Sequence, residues 1–373
     1  MTKIKIILIG LLIPASLFLS AQTTTVDSIL SGGIYRTFRL YKPAAYNGST
    51  AWPLVIDLHG YTSNAANEQL YSNFMPIADT AHFLVVYPQG TNLNGQTYWN
   101  AGISNTGVND IQFITDLLAD LHSNYSIDAN SIYSCGMSNG GFMSHTLACA
   151  LNNKIAAIAS VTGSMFYSQR LTCTPNRPVP VMQISGTADA VVPYIGNTTM
   201  LPIDTLVKYW VLNDNCNPTP QFNAVPNTNT GDGCTAEHYV YNGGTAGASC
   251  ELYKIIGGGH TWPGAPYIVG VTNLDFNASL QVWLFFRKYK LNQFVGINEM
   301  KNDYNINLYP NPCTSLVNIE GGQVENIIIK DLNGRVVIET NKKQIDVSSL
   351  AKGIYSVVFI SGNYRSVKKL VKL

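Results

Sequence analysis

A serine flanked by glycines is the clearest chemical signal in this chain. Gly136-Met137-Ser138-Asn139-Gly140 has the form Gly-x-Ser-x-Gly, and it lies between an apolar stretch, Ile132 to Cys135, and a helical one, Gly140 to Leu151. Glycines on both sides permit a strained strand-to-helix turn that presents the hydroxyl at the carboxyl edge of a sheet. The pattern therefore predicts Ser138 as the nucleophile of an acyl-transfer reaction.

A serine hydroxyl is a weak nucleophile near neutral pH, so it needs a histidine to accept its proton. Of the six histidines, only His238 and His260 lie downstream of a plausible acid. His260 ends a run of glycines directly after the strand Glu251 to Ile256, and we predict it as the base. His238 lies in a polar, strand-like stretch, which is more typical of a surface or structural histidine.

The histidine in turn needs a carboxylate to orient it, and the chain order Ser, acid, His limits the choice. Asp189 directly follows the apolar strand Val179 to Ser185, and strand ends are where such sheets carry functional groups. We therefore predict Asp189 as the acid. The other acidic residues between Ser138 and His260 include Asp204, at the start of a helical stretch and read as a cap, and Asp214, Asp232, Glu237 and Glu251.

The tetrahedral intermediate also needs two hydrogen-bond donors, an oxyanion hole. The Asn139 N–H, next to the serine, is the first prediction. His59-Gly60-Tyr61 follows the strand Leu54 to Leu58, and the loop there usually supplies the second donor, so we predict the Tyr61 N–H. A plain turn with a packed histidine is the alternative for His59 and Gly60. Trp99 and Trp262 are predicted to contact substrate, together with Tyr61.

These residues must be positioned by a sheet with helices on both faces. Short apolar strands alternate with helical stretches from Ile34 to Leu291, and Val108 to Tyr125 places its apolar residues on one helical face. This alternation predicts a mostly parallel central sheet. Together with the Gly-x-Ser-x-Gly turn between a strand and a helix, it predicts an α/β-hydrolase fold. The predicted strands are Leu54 to Leu58, Phe83 to Tyr87, Ile132 to Cys135, Ile155 to Val161, and Val179 to Ser185.

The pattern changes after a closing helix near Trp283 to Arg287. A linker is predicted at Asn292 to Asp303, followed by short strands separated by turns, among them Asn333-Gly334. The sequence thus predicts a small all-β sandwich. The predicted domains are a signal peptide over residues 1–21, an esterase domain over 22–295 and the β-sandwich over 296–373.

The first residues have the form of an export signal. Lys3 and Lys5 precede an apolar run, Ile6 to Leu19, and Leu19-Ser20-Ala21 forms a small-residue cleavage site. Export permits disulfides among the seven cysteines. Cys216 and Cys250 flank a polar loop and are the first candidate pair, whereas Cys135 is predicted as a buried free thiol.

Composition excludes some functions. Charged residues make up only 12% of the chain and the formal net charge is +1, so we expect no nucleic-acid partner. The apolar run at the N-terminus is too short to span a bilayer comfortably, and we expect no stable membrane insertion. The cysteines show no zinc-binding spacing, and we expect no metal site.

Several motifs resemble a known family. The chain is similar, over roughly Ile34 to Leu291, to the polyhydroxybutyrate depolymerase and feruloyl esterase group of α/β-hydrolases, which overlaps carbohydrate esterase family one. The motifs, in order, are Leu58-His59-Gly60, Tyr87-Pro88-Gln89-Gly90, Trp99-Asn100, Gly136 to Gly141, Gly186-Thr187-Ala188-Asp189 with Val192-Pro193-Tyr194, and Gly257 to Gly264. The resemblance implies Ser138, Asp189 and His260 as a catalytic triad without a cofactor. Two positions depart from the usual pattern: Ser185 replaces a common His, and Asn109-Asp110 replaces an Asp pair.

The C-terminal segment resembles the sorting domain of the type IX secretion system. Leu308-Tyr309-Pro310-Asn311-Pro312, Leu350 to Tyr355 and the lysine-rich end carry this likeness. It implies handling by the type IX secretion machinery and export to the cell surface or the medium. A substrate-binding module is the alternative.

Together these features predict a secreted serine esterase that acts on a polymeric or oligomeric ester, most simply feruloyl or acetyl esters of plant cell-wall polysaccharide. A polyester depolymerase acting on polyhydroxybutyrate or a similar polymer uses the same residues and stays open. A peptidase of the same fold and a catalytically silent surface binding protein are further alternatives.

Overall fold

The computed structural model describes residues 22–102, 107–295, 306–321, 324–331, 334–361 and 364–373. The chain divides into two compact units, Met1–Val295 and Gly296–Leu373. The predicted signal peptide, most of the predicted linker and Asn333 lie outside the described residues. In the described part of the chain, no helix has the length and apolar character needed to cross a bilayer.

The first unit is built on a ten-stranded sheet in the order β1-β2-β4-β3-β7-β8-β9-β12-β11-β10. Its strands are β1 (Thr23–Ser31), β2 (Ile34–Lys42), β3 (Trp52–Leu58), β4 (Leu84–Pro88), β7 (Ile127–Met137), β8 (Ala157–Val161), β9 (Val181–Gly186), β10 (Gln221–Ala224), β11 (Thr235–Tyr241) and β12 (Cys250–Ile256). A separate hairpin joins β5 (Thr91–Leu93) and β6 (Gln96–Tyr98).

The central strands, from β4 through β12 in the sheet order, pair in parallel, and the flanking strands pair antiparallel. Every residue of β4 and β8 is buried, because helices cover both faces of the parallel part. The predicted α/β-hydrolase sheet is confirmed.

The helices divide between the two faces of this sheet. They are α1 (Ala65–Ser72), α2 (Met75–Ala81), α3 (Asp110–Asn124), α4 (Asn139–Ala150), α5 (Tyr167–Thr172), α6 (Ile203–Asn213), α7 (Ala278–Phe286) and α8 (Asn292–Val295). Leu54 and Ile56 of β3 join one apolar core with α3, α4 and α6, while Val55 joins a second core with α1, α2 and α7. Side chains alternate along a strand, so one strand feeds both cores.

The second unit contains two small antiparallel sheets. One holds β13 (Asn307–Tyr309), β14 (Leu316–Glu320) and β17 (Gln344–Asp346); the other holds β15 (Asn326–Lys330), β16 (Val336–Thr340), β18 (Gly353–Ser361) and β19 (Tyr364–Lys372). Val317 from the first sheet and Ile327 and Val357 from the second lie in one core. The all-β character predicted for this segment is confirmed.

The disulfide lies elsewhere than predicted. Cys149 and Cys173 are bonded, with their Cα atoms 5.0 Å apart. Cys216 and Cys250 are both buried free thiols, so the predicted pair is wrong, although these two thiols and Asp214 lie within 4.8 Å of one another. The bonded pair joins residues near the ends of α4 and α5, a tertiary contact that loop composition does not reveal. Cys135 is buried and free, as predicted.

Candidate active site

Ser138 occupies a strained turn between β7 and α4. Its backbone angles are φ 54° and ψ −118°, a conformation that costs a non-glycine residue about 1–3 kcal/mol. The Ser138 N–H donates to the Val161 carbonyl at 2.8 Å, which holds the turn against β8. A Cβ at Gly140 would lie 1.9 Å from the Leu58 carbonyl oxygen, and one at Gly136 would lie 2.5 Å from it. Both glycines are therefore required for the turn to pack against β3.

Asp189 and His260 are joined by a short hydrogen bond. The His260 Nδ1 lies 2.7 Å from Asp189 Oδ2, and the aspartate side chain is almost wholly buried. Asp189 Oδ1 accepts hydrogen bonds from the Val191 and Val192 N–H groups, each at 2.8 Å. Because an ionised carboxylate only accepts, this arrangement places the proton of neutral His260 on Nδ1 and leaves Nε2 as an acceptor.

The loops that carry these two residues are bonded directly to each other. They follow the neighbouring parallel strands β9 and β12. The Thr187 N–H donates to the Ile255 carbonyl at 2.8 Å, and the Ala188 N–H donates to the Gly258 carbonyl at 3.0 Å. A Cβ at Gly186 would lie 2.2 Å from the Gly258 oxygen. The glycines in both motifs thus permit the close approach of the backbones that sets the position of Asp189 relative to His260.

Ser138 and His260 line the same cavity, whose volume is about 570 Å³, a usual size for a small-molecule site. Its other walls are formed by Gly60, Tyr61, Ser63, Asn67, Glu68, Leu70, Tyr71, Met137, Tyr267 and Val269. In the described part of the chain, no hydrogen bond joins the Ser138 hydroxyl to His260. Such contacts are often long without substrate and tighten when substrate is bound.

His59 holds the loop that was predicted to supply an oxyanion donor. The Gly90 N–H donates to His59 Nε2 at 2.9 Å, so the ring proton lies on Nδ1, which donates to the Gly60 carbonyl at 2.7 Å. Burial lowers the pKa of His59 to about 4 and keeps the ring neutral. Because the carbonyl and N–H of a trans peptide point in opposite directions, this bond turns the Tyr61 N–H away from His59.

Neither predicted oxyanion donor is occupied by another group in the described residues: the Tyr61 and Asn139 amides donate no hydrogen bond there. A Cβ at Gly60 would lie 3.5 Å from the Ser138 Cβ, so the Gly60-Tyr61 peptide lies next to the serine. The Asn139 amide is at the first position of α4, where the helix leaves N–H groups unpaired.

The prediction that Trp99 and Trp262 contact substrate is wrong. Their side chains are 0% and 1% exposed, and neither lines the cavity. The Trp262 Nε1 donates to Ser279 Oγ at 3.0 Å in the core between α2 and α7. An indole is large and apolar, so its burial stabilises the fold, and its single N–H needs only one internal acceptor.

Trp99 instead connects the two predicted oxyanion donors. Its Nε1 donates to the His59 carbonyl at 2.9 Å. Its backbone N–H donates to Asn139 Oδ1 at 2.6 Å, and Asn139 Nδ2 donates to the Trp99 carbonyl at 3.0 Å. The Asn139 side chain and Trp99 thus fix the start of α4 relative to the loop after β3.

The other candidate residues have structural partners outside the cavity. His238 in β11 lies 2.8 Å from Glu251, which also pairs with Lys288 at 2.7 Å, and the His238 ring stacks on Tyr253. The structural interpretation of His238 therefore agrees with these contacts. Glu237 accepts a hydrogen bond from the Tyr239 hydroxyl at 2.9 Å.

The three remaining aspartates are also engaged elsewhere. Asp204 lies in the first turn of α6, where Pro202 is the cap residue, and accepts from the Tyr194 hydroxyl at 2.7 Å. Its predicted role as a cap is therefore wrong. Asp214 accepts from the Val179 N–H at 2.9 Å, and Asp232 accepts from the Leu274 N–H at 2.8 Å.

The two departures from the family pattern have structural roles. Asn109 caps α3, where its side chain accepts from the Gln112 N–H at 2.9 Å. Asp110 forms a buried ion pair with Arg36 at 2.7 Å. Ser185 is buried and its Oγ accepts from Gln183 Nε2 at 2.8 Å. None of these side chains reaches the cavity.

Several cavity residues were not predicted. Glu68, Leu70 and Tyr71 come from α1, and Tyr267 and Val269 come from the loop after His260. In the structure the Tyr267, Ile268 and Val269 side chains are 55%, 68% and 56% exposed, and exposed apolar clusters mark binding surfaces.

Two family models match parts of the chain. The model described as "Prolyl oligopeptidase family" matches residues 69–167, which include the Ser138 turn. The model described as "Secretion system C-terminal sorting domain" matches residues 307–373, within the second unit.

The curated relatives include esterases and a depolymerase. The chain is 30% identical to "Bifunctional acetylxylan esterase/xylanase XynS20E" of Neocallimastix patriciarum over 43% of this chain and 22% of the relative. It is 27% identical to "Feruloyl esterase B" of Piromyces equi, over 58% of this chain and 39% of the relative. It is 27% identical to "Poly(3-hydroxyalkanoate) depolymerase C" of Paucimonas lemoignei, over 42% of this chain and 40% of the relative. The chain thus spans well under half the length of these relatives.

Among solved structures, the acetyl xylan esterase from Aspergillus awamori is similar with a TM-score of 0.48 and 16% identity, over 64% of this chain and 94% of that one. The resemblance recognised from the motifs is confirmed by the sequence matches. The first unit is therefore similar to the feruloyl esterase and polyhydroxybutyrate depolymerase group of α/β-hydrolases, and the second unit matches a secretion system C-terminal sorting domain.

Proposed function

We propose that this protein hydrolyses carboxylic esters through an acyl-enzyme formed on Ser138. The observation that carries the proposal is the 2.7 Å hydrogen bond between Asp189 and His260, whose ring lines the same cavity as the strained Ser138. The bond leaves His260 Nε2 free to accept a proton, and Ser138 is the hydroxyl at the turn where this fold presents its nucleophile.

In the first half of the reaction, Ser138 Oγ attacks the ester carbonyl carbon and its proton passes to His260 Nε2. Asp189 stabilises the imidazolium, and the Tyr61 and Asn139 N–H groups donate to the oxyanion. The intermediate collapses, the C–O bond to the alcohol breaks, and His260 returns the proton to the leaving alcohol.

In the second half, water attacks the acyl-enzyme while His260 accepts one of its protons. The acid is released and the proton returns to Ser138. One water is consumed and one acid and one alcohol are produced in each cycle. These steps use only side chains and backbone groups of the chain.

The proposed substrates are feruloyl or acetyl esters of plant cell-wall polysaccharide. The names of the relatives support this class, and so does the cavity wall, where Tyr61, Tyr71 and Tyr267 provide aromatic surface. Cleavage of a polyester is the second candidate, favoured by the similarity to the poly(3-hydroxyalkanoate) depolymerase. The proposal assigns no substrate contact to Trp99 or Trp262, because both side chains are buried.

The test compares release of ferulate, acetate and hydroxybutyrate from their respective polymers by the purified protein. We expect release of ferulate or acetate, and loss of release in Ser138→Ala. Release of hydroxybutyrate alone would replace the first substrate class with the second. Release of none of the three, together with no turnover of a nitrophenyl acyl ester, would contradict the esterase proposal.

For the whole chain we propose a signal peptide over residues 1–21, an esterase domain over 22–295 and a type IX sorting domain over 296–373. The match of residues 307–373 to a sorting-domain model supports export as the role of the second unit. The type IX machinery is then the partner that handles this unit, and the esterase acts at the cell surface or in the medium.

Export is tested by deleting residues 296–373 in a host that has a type IX system. We expect the truncated protein to stay inside the cell envelope and to retain turnover of a soluble ester, because no proposed catalytic residue lies in the deleted segment. Normal export of the truncated protein would contradict the sorting role. If it stays folded and loses turnover of the soluble ester, the second unit takes part in catalysis.

A further inference from the structure

A buried glutamate lines the cavity and has no role in the chemistry proposed above. Glu68 in α1 lines the cavity together with Ser138, yet the residue is only 2% exposed. In the described part of the chain, its Oε1 is buried without a hydrogen-bond partner. Burying an unpaired polar group costs free energy, and a position that accepts such a cost needs a physical reason.

No cation among the described residues pairs with this carboxyl group. The titratable groups around it are Asp57 from β3, Tyr87 from β4, Cys135 from β7, and Tyr71 from the same helix. Asp57 is itself fully buried with Oδ2 unpartnered, and the Cys135 thiol donates to Asp57 Oδ1 at 3.5 Å. The Tyr87 hydroxyl is also buried without a partner.

Two buried carboxyl groups that interact cannot both be ionised without a large cost in free energy. Burial raises the pKa of Glu68 well above its ordinary value, and the nearby Asp57 raises it further. Burial also raises the pKa of Asp57, to about 7. Both effects favour the protonated, neutral form of Glu68. A protonated carboxyl group has one O–H donor and one carbonyl acceptor, which is the complement of a phenolic hydroxyl.

The rest of the wall suits a flat aromatic group. Six of its side chains are aromatic or apolar: Tyr61, Leu70, Tyr71, Met137, Tyr267 and Val269. An acetyl group bonded to Ser138 is too small to use much of a cavity of about 570 Å³. An aromatic acyl group would cover these apolar surfaces, and a hydroxyl on its ring would supply a partner for the Glu68 carboxyl group.

We propose that Glu68 is a specificity-determining residue that exchanges hydrogen bonds with the ring hydroxyl of an aromatic acyl group, so that the cavity selects esters of hydroxylated aryl acids. This inference rests on the proposed esterase function, for which it names the acyl group. A site built to hydrogen-bond a hydroxyl discriminates strongly against an analogue that lacks it, because the polar group of the site is then left unpaired.

The test compares kcat/KM for methyl ferulate and methyl meta-methoxycinnamate, which differ only in the ring hydroxyl. We expect the wild-type protein to prefer the ferulate by about tenfold or more, the usual effect of one buried hydrogen bond. Glu68→Leu should bring the ratio close to one. Glu68→Gln, which keeps a donor and an acceptor of similar shape, should retain most of the preference.

The matched controls are Glu237→Leu and Glu237→Gln, in the antiparallel part of the sheet and outside the cavity wall, and both should keep the wild-type ratio. A wild-type ratio near one, or a ratio unchanged in Glu68→Leu, overturns the inference while leaving the esterase proposal intact. Equal loss on both esters indicates a purely structural role and overturns it too. Failure of the wild-type protein to hydrolyse any ester overturns both.

A second measurement does not depend on turnover or on the folding of Glu68→Leu. Infrared difference spectra of ferulate binding to the Ser138→Ala protein should show the shift of a protonated carboxyl band. The band should be absent when Glu68→Gln is added to Ser138→Ala. A spectrum that contains no such band, or a band that persists in the double variant, overturns the inference.

Discussion

At the scale of single residues, Asp189 determines which nitrogen of His260 carries the proton. Its Oδ2 accepts from Nδ1, and its Oδ1 is fixed by the Val191 and Val192 amides. In Asp189→Asn the amide can donate to Nδ1, which favours the tautomer protonated at Nε2 and removes the base. We expect kcat for a soluble ester to fall by roughly a thousandfold or more while KM changes little.

Asp232→Asn is the matched control. Asp232 is a loop aspartate that also accepts from a backbone amide, but it lies outside the cavity wall. Its replacement should leave kcat near the wild-type value. An Asp189→Asn protein that is folded and nearly as active as the wild type would contradict the assigned role of the aspartate.

At the scale of elements, Trp99 links the loop after β3 to the start of α4. The indole N–H donates to the His59 carbonyl, and the backbone of Trp99 exchanges two hydrogen bonds with the Asn139 side chain. Trp99→Phe keeps the backbone bonds but removes the indole donor and part of the ring, which loosens the Tyr61 loop. We expect a severalfold to tenfold loss of kcat with little change in KM, because the loop acts on the oxyanion.

Trp210→Phe provides the comparison, because Trp210 is equally buried and donates its indole N–H to His145 in another part of the core. Both variants should lose similar stability in denaturant titrations, and only Trp99→Phe should lose kcat beyond what its folded fraction explains. Equal kcat in the two variants would argue against the linking role of Trp99.

The sequence predicted the elements best where their apolar patterns are strong. The central strands and α3, α4 and α7 are continuous or periodic in apolar residues, whereas β1 and β10 are largely exposed and carry no comparable signal. Strand order therefore had to come from the structure. The parallel sheet could be predicted because strands that are buried on both faces are nearly continuous runs of apolar residues.

The candidate site was only partly predictable. Ser138, Asp189 and His260 each follow a strand, and they occur in the chain order that is typical of this fold, so both features can be read from the sequence. The structure brings Asp189 and His260 into contact. Sequence does not show whether an indole faces a cavity or a core, and this led to the errors at Trp99 and Trp262. Glu68 and Tyr267 reach the cavity from separate segments, so only tertiary packing reveals them.

At the scale of the whole molecule, buried titratable groups make stability depend on pH. Burial lowers the pKa of His145 from 6.5 to about 4; its Nδ1 accepts from Trp210 at 3.2 Å, and its Nε2 lies 3.2 Å from Gln183. At pH values between about 4 and 6.5, His145 is protonated in the unfolded chain and neutral in the folded chain. Stability from this group is therefore present above about pH 6.5 and is lost as the pH falls towards 4.

We expect His145→Gln to reduce the difference in unfolding free energy between neutral pH and about pH 4.5 by about 2 kcal/mol. The comparison of variants cancels the opposite contribution of Asp57, whose pKa is raised. Denaturant titration followed by tryptophan fluorescence reports the first unit alone, because all five tryptophans lie in it. His122→Gln, at an exposed position of α3, is the control, and an equal pH response in both variants would contradict the assignment.

The central claim is that Ser138 is the nucleophile, and covalent labelling tests it most directly. The intact protein is treated with a fluorophosphonate, digested, and mapped by mass spectrometry. We expect a single adduct on the peptide that contains Ser138, formed quickly in the wild type, strongly slowed in His260→Ala and absent in Ser138→Ala. An unlabelled wild-type protein, or an adduct of equal yield that persists in Ser138→Ala, would contradict the account.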